Sequence, residues 1–274
     1  MTEKLPISVL ILTKNEEQDL PGCLDSLTWS DDVLIIDSQS TDATAAIAAQ
    51  YQARFVIRAF DGYASQRNFG LQQSFKYDWI LIVDADERVT ESLRAGMGEF
   101  IRRVPADVAA GRLQRRDIWW GRWLKHAQIT PLYIRLIRKG KAFYEREINE
   151  VLKVEGEVGD ISGHLDHYPF SKGLSHWIDK HSRYASMEAD VIVNNQLGSY
   201  RWSKALWGDS LAERRANQKA IFIRLPLRPV IKFFYMFFWR RAFLDGVQGF
   251  RYCMLQCIYE YFIALYVVEK NVKQ

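Results

Sequence analysis

The 274-residue chain lacks the features that announce several large protein classes. It holds three cysteines, Cys23, Cys253 and Cys257, without a paired spacing. That excludes a disulfide framework and a cysteine zinc site, and points to a reducing compartment. Cys253 and Cys257 read as two packed thiols on one helix. Neither G-x-G-x-x-G nor G-x-x-x-x-G-K-S/T occurs. Dinucleotide-binding and P-loop folds are thereby removed, so side chains and metal, not a glycine cradle, must hold any phosphate-bearing ligand. No apolar run reaches the about 20 residues that span a bilayer. The first one, Ile7 to Leu12, is short and is followed by Lys14, Asn15 and Glu16, so no signal peptide is expected and folding is expected to begin in the cytoplasm. Charge of one sign is scarce as well: 37 Lys and Arg against 33 Asp and Glu leave a net +4, too little to suggest nucleic acid. Internal repeats and low-complexity segments are absent.

What is present is a folded composition, 48% apolar and 26% charged. "ISVLILT" (7–13) is a β-branched apolar run typical of a strand covered on both faces. "EEQDLPGCLDSL" follows as a helix, "DDVLIIDS" (31–38) as a second strand, and "TDATAAIAAQY" as a helix with Ser40 or Thr41 as N-cap. "ARFVIRAF", "YASQRNFGLQQSF" and "WILIVDAD" continue as strand, helix and strand. Four such alternations predict right-handed βαβ units and a mostly parallel sheet flanked by helices. Beyond Glu91 a helix is expected to about Arg103, then irregular short-strand material, then helix again from Leu174. A Gly/Ser/Trp stretch near Gly198–Gly208 reads as a link to a basic, aromatic tail.

Ligands of such sheets bind beyond the carboxyl ends of the strands. There the polar outliers gather: Thr13, Asn15 and Glu16, then Asp37 and Ser38, then Asp84 and Asp86. In Asp84-Ala85-Asp86 the acids stand two apart, so in extended chain both project to one side. Paired carboxylates suit Mg²⁺ or Mn²⁺, whose other positions go to substrate phosphates. The competing reading is a capped loop in which Glu87 pairs Arg88.

"TKNEE", "IIDSQSTDAT", "QRNFG" and "VDADE" resemble, in order and spacing, the signature of family-2 glycosyltransferases with the GT-A fold. Together with "RLIRKGKAFYEREINEVL" and "FLDGVQGF", the chain looks most like the lipopolysaccharide core β-1,4-glucosyltransferase group. The resemblance implies a pocket for a nucleotide-diphosphate sugar lined by Thr13, Asn15 and Glu16, with Asp37 accepting from uracil and Ser38 nearby. It puts Arg67 on the base or diphosphate, Asn68 in support of the loop, and Asp42 as a helix cap. Asp84 is expected near ribose and metal, Asp86 as the principal metal ligand, and His167 as the residue completing the shell. Glu150 is the expected base, in a triplet Ile148-Asn149-Glu150 where relatives show histidine before the acid; Glu145 and Glu147 read as solvated residues pairing Arg146 or Lys141.

Lys180 and Arg183, three apart on one helix face, are candidates for the donor diphosphate or a phosphorylated acceptor. Arg135 and Arg138 are similar, unless they only solubilise a strand edge. "DIWWGRWL" is either an aromatic platform for an acceptor sugar or core. The tail holds six aromatics within Phe233–Trp239, and six Lys/Arg from Arg224 to Arg251 opposed only by Asp245. This suits an interfacial helix on anionic headgroups, whereas Gln256 and Glu260 interrupt the later apolar run. The expectation is a GT-A catalytic domain over 1–170, donor half to about 100, and a helical, membrane-associating extension over 171–274. Its function would be inverting, metal-assisted transfer of glucose from UDP-glucose to a lipid-linked inner-core glycan, at the cytoplasmic face of the inner membrane. Alternatives are a polyprenyl-phosphate glycosyltransferase and a non-catalytic nucleotide-sugar-binding protein.

Overall fold

A computed structural model of the chain describes residues 4–145, 151–194, 200–225 and 227–272. It divides into two compact units, Met1–Ile118 with Thr130–Lys172, and Trp119–Ile129 with Gly173–Gln274. The alternation read from sequence is present: β1 (Ile7–Thr13), α1 (Leu20–Asp25), β2 (Val33–Asp37), α2 (Thr44–Gln50), β3 (Arg54–Ile57), α3 (Tyr63–Leu71) and β4 (Trp79–Asp84). Then come β5 (Glu87–Val89), α4 (Glu91–Arg103), β6 (Val108–Trp119), β7 (Arg122–Trp123), β8 (Leu132–Arg138), β9 (Ala142–Glu145), β10 (Val151–Val154) and β11 (Glu157–His167).

The main sheet runs β3-β2-β1-β4-β8-β6-β11-β5. Its first four strands are parallel, β8 is antiparallel to both neighbours, β11 is parallel to β6, and β5 is antiparallel to β11. This is the α/β, GT-A-type architecture, and its centre is buried on both faces. Ile7, Val9 and Ile11 of β1 join one core with Leu81 and Val83, while Leu10 joins the other with Ile80 and Ile82. Alternate residues of one strand thus feed two cores, which is why these strands read as continuous apolar runs.

Register delivers the polar residues to one edge. Thr13 lies opposite Asp37, Leu12 opposite Asp84, and His167 opposite both Glu87 and Asp117. Near the end of β11, Gly163 takes a φ of +98°, and a Cβ there would lie 2.5 Å from the backbone of Leu93. Only glycine lets α4 lie this close against β11.

Several expectations change. Ala85 and Asp86 form a turn between two strands, so the acids do not share one extended face. Arg135 is on an interior strand, not an edge. Residues 119–129 belong to the second unit. That unit contains α5 (Gly173–Val193), α6 (Trp202–Trp207), α7 (Leu211–Arg224), α8 (Arg228–Phe234), a π-turn (Tyr235–Trp239), a 3-10 turn (Ala242–Asp245) and α9 (Gly246–Val272). The presumed link near Gly208 is therefore partly helix: α6 packs on α7. Cys253 and Cys257 are buried free thiols on α9, as expected. Among the described residues no helix is long and apolar enough to cross a membrane.

Candidate active site

The loops after β1 and β2 build one wall. Asp37 is buried, and its carboxylate accepts from Thr13 Oγ1 (2.7 Å), Ser40 N (2.7 Å) and Ser40 Oγ (2.6 Å). Ser40 is therefore not the cap of α2; its hydroxyl also accepts from Asn15 N (2.7 Å). Asn15 returns the contact, its Oδ1 accepting from Thr41 N (2.9 Å). Asn15 and Gln39 both sit in the left-handed region, φ +55° and +62°. Such strain persists only where surrounding bonds hold it. The N-cap position of α2 is Ala43, not Asp42; Asp42, one residue earlier, accepts from Thr44 N (3.0 Å) and from Glu17 N (3.1 Å). Ser38 is buried and its hydroxyl accepts from Gln66 (3.1 Å).

Glu16 faces this wall with most of its side chain buried, paired to Lys172 at 2.8 Å. Burial raises its carboxyl to about 7, against the pull of Lys172 and with help from Asp86 and Asp19. Lys172 also donates to the Asn15 carbonyl (3.0 Å), and Ser171 Oγ donates to buried Asp19 (2.8 Å). The stretch that leaves β11 thus fastens the loop that leaves β1. Neither Lys172 nor Asp19 is signalled by any motif.

The two acids after β4 have separate surroundings. Asp84 meets Arg135 at 2.8 Å and Arg67 at 3.4 Å. Burial alone would raise its carboxyl, but the two guanidinium groups hold it well below the ordinary range. Arg67 also lies over the Tyr144 ring (5.3 Å), and Asn68 fixes Tyr144 by exchanging two hydrogen bonds with its backbone (2.7 and 2.8 Å). Glu87, fully buried, accepts from Arg135 (2.9 Å) and from the Asp84 N–H (2.9 Å). It does not pair Arg88. Arg88 instead braces the turn, donating to the carbonyls of Ala85 (2.8 Å), Glu87 (2.9 Å) and Asp19 (2.9 Å). Gly22 leaves room for it, since a Cβ there would sit 2.6 Å from Arg88 Nε.

Asp86, at the apex of that turn, faces His167, whose Nε2 stands 3.2 Å from Oδ2. His167 Nδ1 bonds buried Asp117, whose Oδ1 also has Arg115 at 3.4 Å. Burial would lower the imidazole, but Asp117 and Asp86 together push it up to about 9. Asp117 escaped the sequence reading because its partner is 50 residues away, across the β6–β11 register.

Asp86 and His167 could hold a hard divalent cation, which would displace the proton that Asp86 and Asp117 favour on the imidazole. Asp86 supplies a partly exposed carboxylate, His167 an imidazole nitrogen beside it, and Asp117 the carboxylate that fixes a ligating histidine through its other nitrogen. Among the described residues no cluster of three or more His, Cys, Asp or Glu could hold a metal, so water and ligand oxygens would supply the remaining positions. Asp84, engaged by two arginines, is the less available of the pair.

Glu150 and Glu147 are outside the described residues. Glu145 is exposed on β9 and pairs Lys153 (3.7 Å), not Lys141. Lys180 and Arg183 are exposed on α5 of the second unit, Lys180 lying 5.9 Å from the Tyr184 ring. Trp119 of the tryptophan stretch is buried and Trp120 is exposed.

The family model described as glycosyl transferase family 2 matches residues 8–159. The lipopolysaccharide core biosynthesis glycosyltransferase LpsC of Rhizobium meliloti is 28% identical over 99% of this chain and 95% of its own length. An uncharacterized glycosyltransferase of Rickettsia conorii is 39% identical over 91% of this chain and 84% of its own. Among solved structures, Staphylococcus aureus TarS aligns with a TM-score of 0.45 and 15% identity, over 91% of this chain and 55% of that one. Glucosyl-3-phosphoglycerate synthase of Mycobacterium tuberculosis, in complex with Mn²⁺, UDP and glucosyl-3-phosphoglycerate, aligns with a TM-score of 0.35 and 21% identity over 40% and 44%. The chain spans about half the length of those two solved proteins. With more than half of its length matched by the family model, and a near full-length relative at 39% identity, the chain belongs to glycosyl transferase family 2.

Proposed function

We propose that this family-2 enzyme is an inverting hexosyltransferase acting on a lipid-linked envelope glycan. In the specific reading it moves glucose from UDP-glucose onto a lipopolysaccharide inner-core sugar, with Mg²⁺ or Mn²⁺ held by Asp86 and His167. The observation that carries the reading is the alignment of Asp86, His167 and Asp117 beside a wall of hydrogen-bonded polar loops.

Each residue then has a task. Thr13, Asn15 and Ser38 line the nucleoside wall that Asp37 holds. A carboxylate offers about four acceptor sites; Asp37 uses three on its own loops, and the fourth accepts from uracil. Arg67, steadied by Asp84 and Tyr144, meets the diphosphate. Glu16 and Lys172 keep the β1 loop in place. Asp86 and His167 would hold the cation, which would supply Lewis-acid neutralisation of charge on the leaving diphosphate. Glu150 takes the proton of the acceptor hydroxyl as that oxygen attacks the anomeric carbon, and UDP departs from the opposite face. Lys180 and Arg183 contact a phosphorylated acceptor. The aromatic, basic second unit keeps the enzyme at the cytoplasmic face of the inner membrane, beside its acceptor.

The test is a screen of nucleotide sugars for UDP or GDP release, with and without Mn²⁺, against core oligosaccharide and polyprenyl phosphate. Metal-dependent release that core oligosaccharide accelerates supports the reading. Acceleration by polyprenyl phosphate alone moves the enzyme to a different acceptor class. Absence of release with every donor removes the catalytic reading.

A further inference from the structure

We propose that the second unit carries a docking face for an anionic lipid bilayer. It is built from the chain reversal between α8 and α9 together with the tryptophan segment 119–129. This rests on the membrane placement above and changes the element responsible: not a helix lying flat, but a braced turn that displays aromatics.

At the reversal the ordinary rule for large apolar side chains fails. Phe234, Phe238, Phe243, Leu244, Val247 and Phe250 are all exposed, and Trp239 is 81% exposed. The turn beneath them is nevertheless well anchored. Met236, Ala242 and Asp245 are buried. Asp245 accepts from the N–H groups of His126 (2.8 Å) and Ala127 (2.7 Å), and its other oxygen meets His126 Nδ1 (2.8 Å). Arg122 donates to the Leu244 carbonyl (3.1 Å) and Tyr252 to Gln128 (2.6 Å). Phe237 stacks on Phe233 (5.2 Å) and meets Phe243 (6.0 Å) and Phe250 (5.9 Å). A loose tail would bury such rings against itself; here polar bonds hold the backbone so that the rings stay outside.

The tryptophan segment extends the same face. Trp120 is exposed with Arg251 over its ring at 5.5 Å, and Ile129 is exposed as well. Beyond the turn, Val247, Phe250, Met254, Ile258, Tyr261, Leu265, Val268 and Val272 are exposed at helical spacing along α9, while α5 and α8 pack against that helix. Soluble monomers rarely expose an apolar area this continuous.

Charge identifies the occupant. Arg122, Lys125, Arg241 and Arg251 are exposed. Across residues 119–129 and 227–259 the one acid is Asp245, and it is buried. Around the turn and the tryptophan segment, aromatic rings ringed by cations with no exposed acid match the boundary between acyl chains and anionic headgroups, whereas at the far end of α9 Glu269 is exposed. A second copy of the chain would bring the same cations face to face, which opposes self-association.

The experiment uses the full chain with vesicles of phosphatidylcholine, alone or mixed with phosphatidylglycerol, sedimented at low and high salt. Expected is binding to the anionic vesicles that salt weakens, with blue-shifted tryptophan emission. Trp239→Ala with Phe238→Ala should lower partitioning about tenfold and leave donor hydrolysis unchanged. Arg241→Glu with Arg251→Glu should lose about tenfold or more, on anionic vesicles only; Trp120→Ala should lose less. These side chains are exposed, and circular dichroism verifies that the variants fold. Equal binding to neutral vesicles overturns the proposal, as does a dimer in sedimentation velocity that the Trp239/Phe238 variant dissolves. A wild type that hydrolyses donor but ignores every vesicle overturns the docking face and leaves the transferase standing. One that docks yet releases no nucleotide overturns the transferase alone.

Discussion

The strand-end corner of the first unit and the α8–α9 turn of the second break opposite halves of one rule. The corner buries charge: Glu87 and Arg135 are 0% and 7% exposed, and Asp84 is shared between two arginines. The turn exposes apolar rings, with Trp239 at 81%. Both arrangements are unfavourable by themselves, since desolvated charge and hydrated aromatic surface each carry a cost. Both are also held by dense polar bonding of the surrounding backbone. Departures from the inside–outside pattern that are this firmly supported are where function is to be sought.

The sharpest way to break the comparison is to remove the compensation at the corner. Arg135→Met leaves Asp84 and Glu87 without their common partner, and uncompensated buried charge costs about 3–5 kcal/mol. Denaturant unfolding should show a loss of that order, partly restored by adding Glu87→Gln. A loss below about 1 kcal/mol would mean that the ion network is ornamental.

Next in size is the separation between the two acids of the turn. Asp86→Ala should reduce Mn²⁺-dependent donor hydrolysis roughly 10²–10³-fold, the scale seen when one group that stabilises developing charge is lost. Its unfolding midpoint should barely move, because Asp86 is partly exposed and its ion pair among the described residues is the one with His167. Asp84→Asn should do the reverse, costing stability first. Equal effects of the two changes on stability and rate would erase the division of labour between them.

Glu16 gives a smaller, pH-dependent effect. Its carboxyl rises from an ordinary 4.5 to about 7, so the folded state holds a proton that the unfolded chain has already released. Stability from this group is fully present below pH 4.5 and is lost as pH rises through 7. The shift corresponds to roughly 3 kcal/mol at most. Glu16→Gln should flatten the stability curve between pH 4.5 and 7 and leave the variant the more stable at pH 8, while donor binding weakens. An unchanged slope in chemical unfolding across that window would show that Glu16 ionises normally.

How much of this was legible depends on whether the cause is local. β1, β2 and β4 announce themselves because both faces are covered, and the polar residues ending them share an edge once the strands are parallel. The turn at Ala85 and Asp86 is not local: Arg88 holds it partly through Asp19, 69 residues earlier. Asp117 acquires meaning only when β6 and β11 pair, and Arg135 becomes buried only because β8 enters between β4 and β6. The tryptophan segment reads in sequence as either an acceptor platform or core; Trp119 is buried, and bonds to Asp245 place the segment with the second unit. Composition flagged the aromatic tail; the braced turn that displays it depends on those same distant bonds.

The smallest effect is expected at the buried acid of the second unit. Glu260 is 7% exposed and lies 3.6 Å from Lys232. By burial alone it resembles Glu87, but its partner retains access to water, with a side chain 27% exposed. Lys232 therefore keeps its hydration when the acid is removed, whereas Arg135 cannot. Removing one partner of an ion pair is costly when the other charge stays buried; because Lys232 stays hydrated, Glu260→Leu should change stability by less than about 1 kcal/mol in either direction and leave donor hydrolysis untouched. A loss as large as that of Arg135→Met would mean that the second unit, too, is organised around buried charge, and the contrast between the two regions would fail.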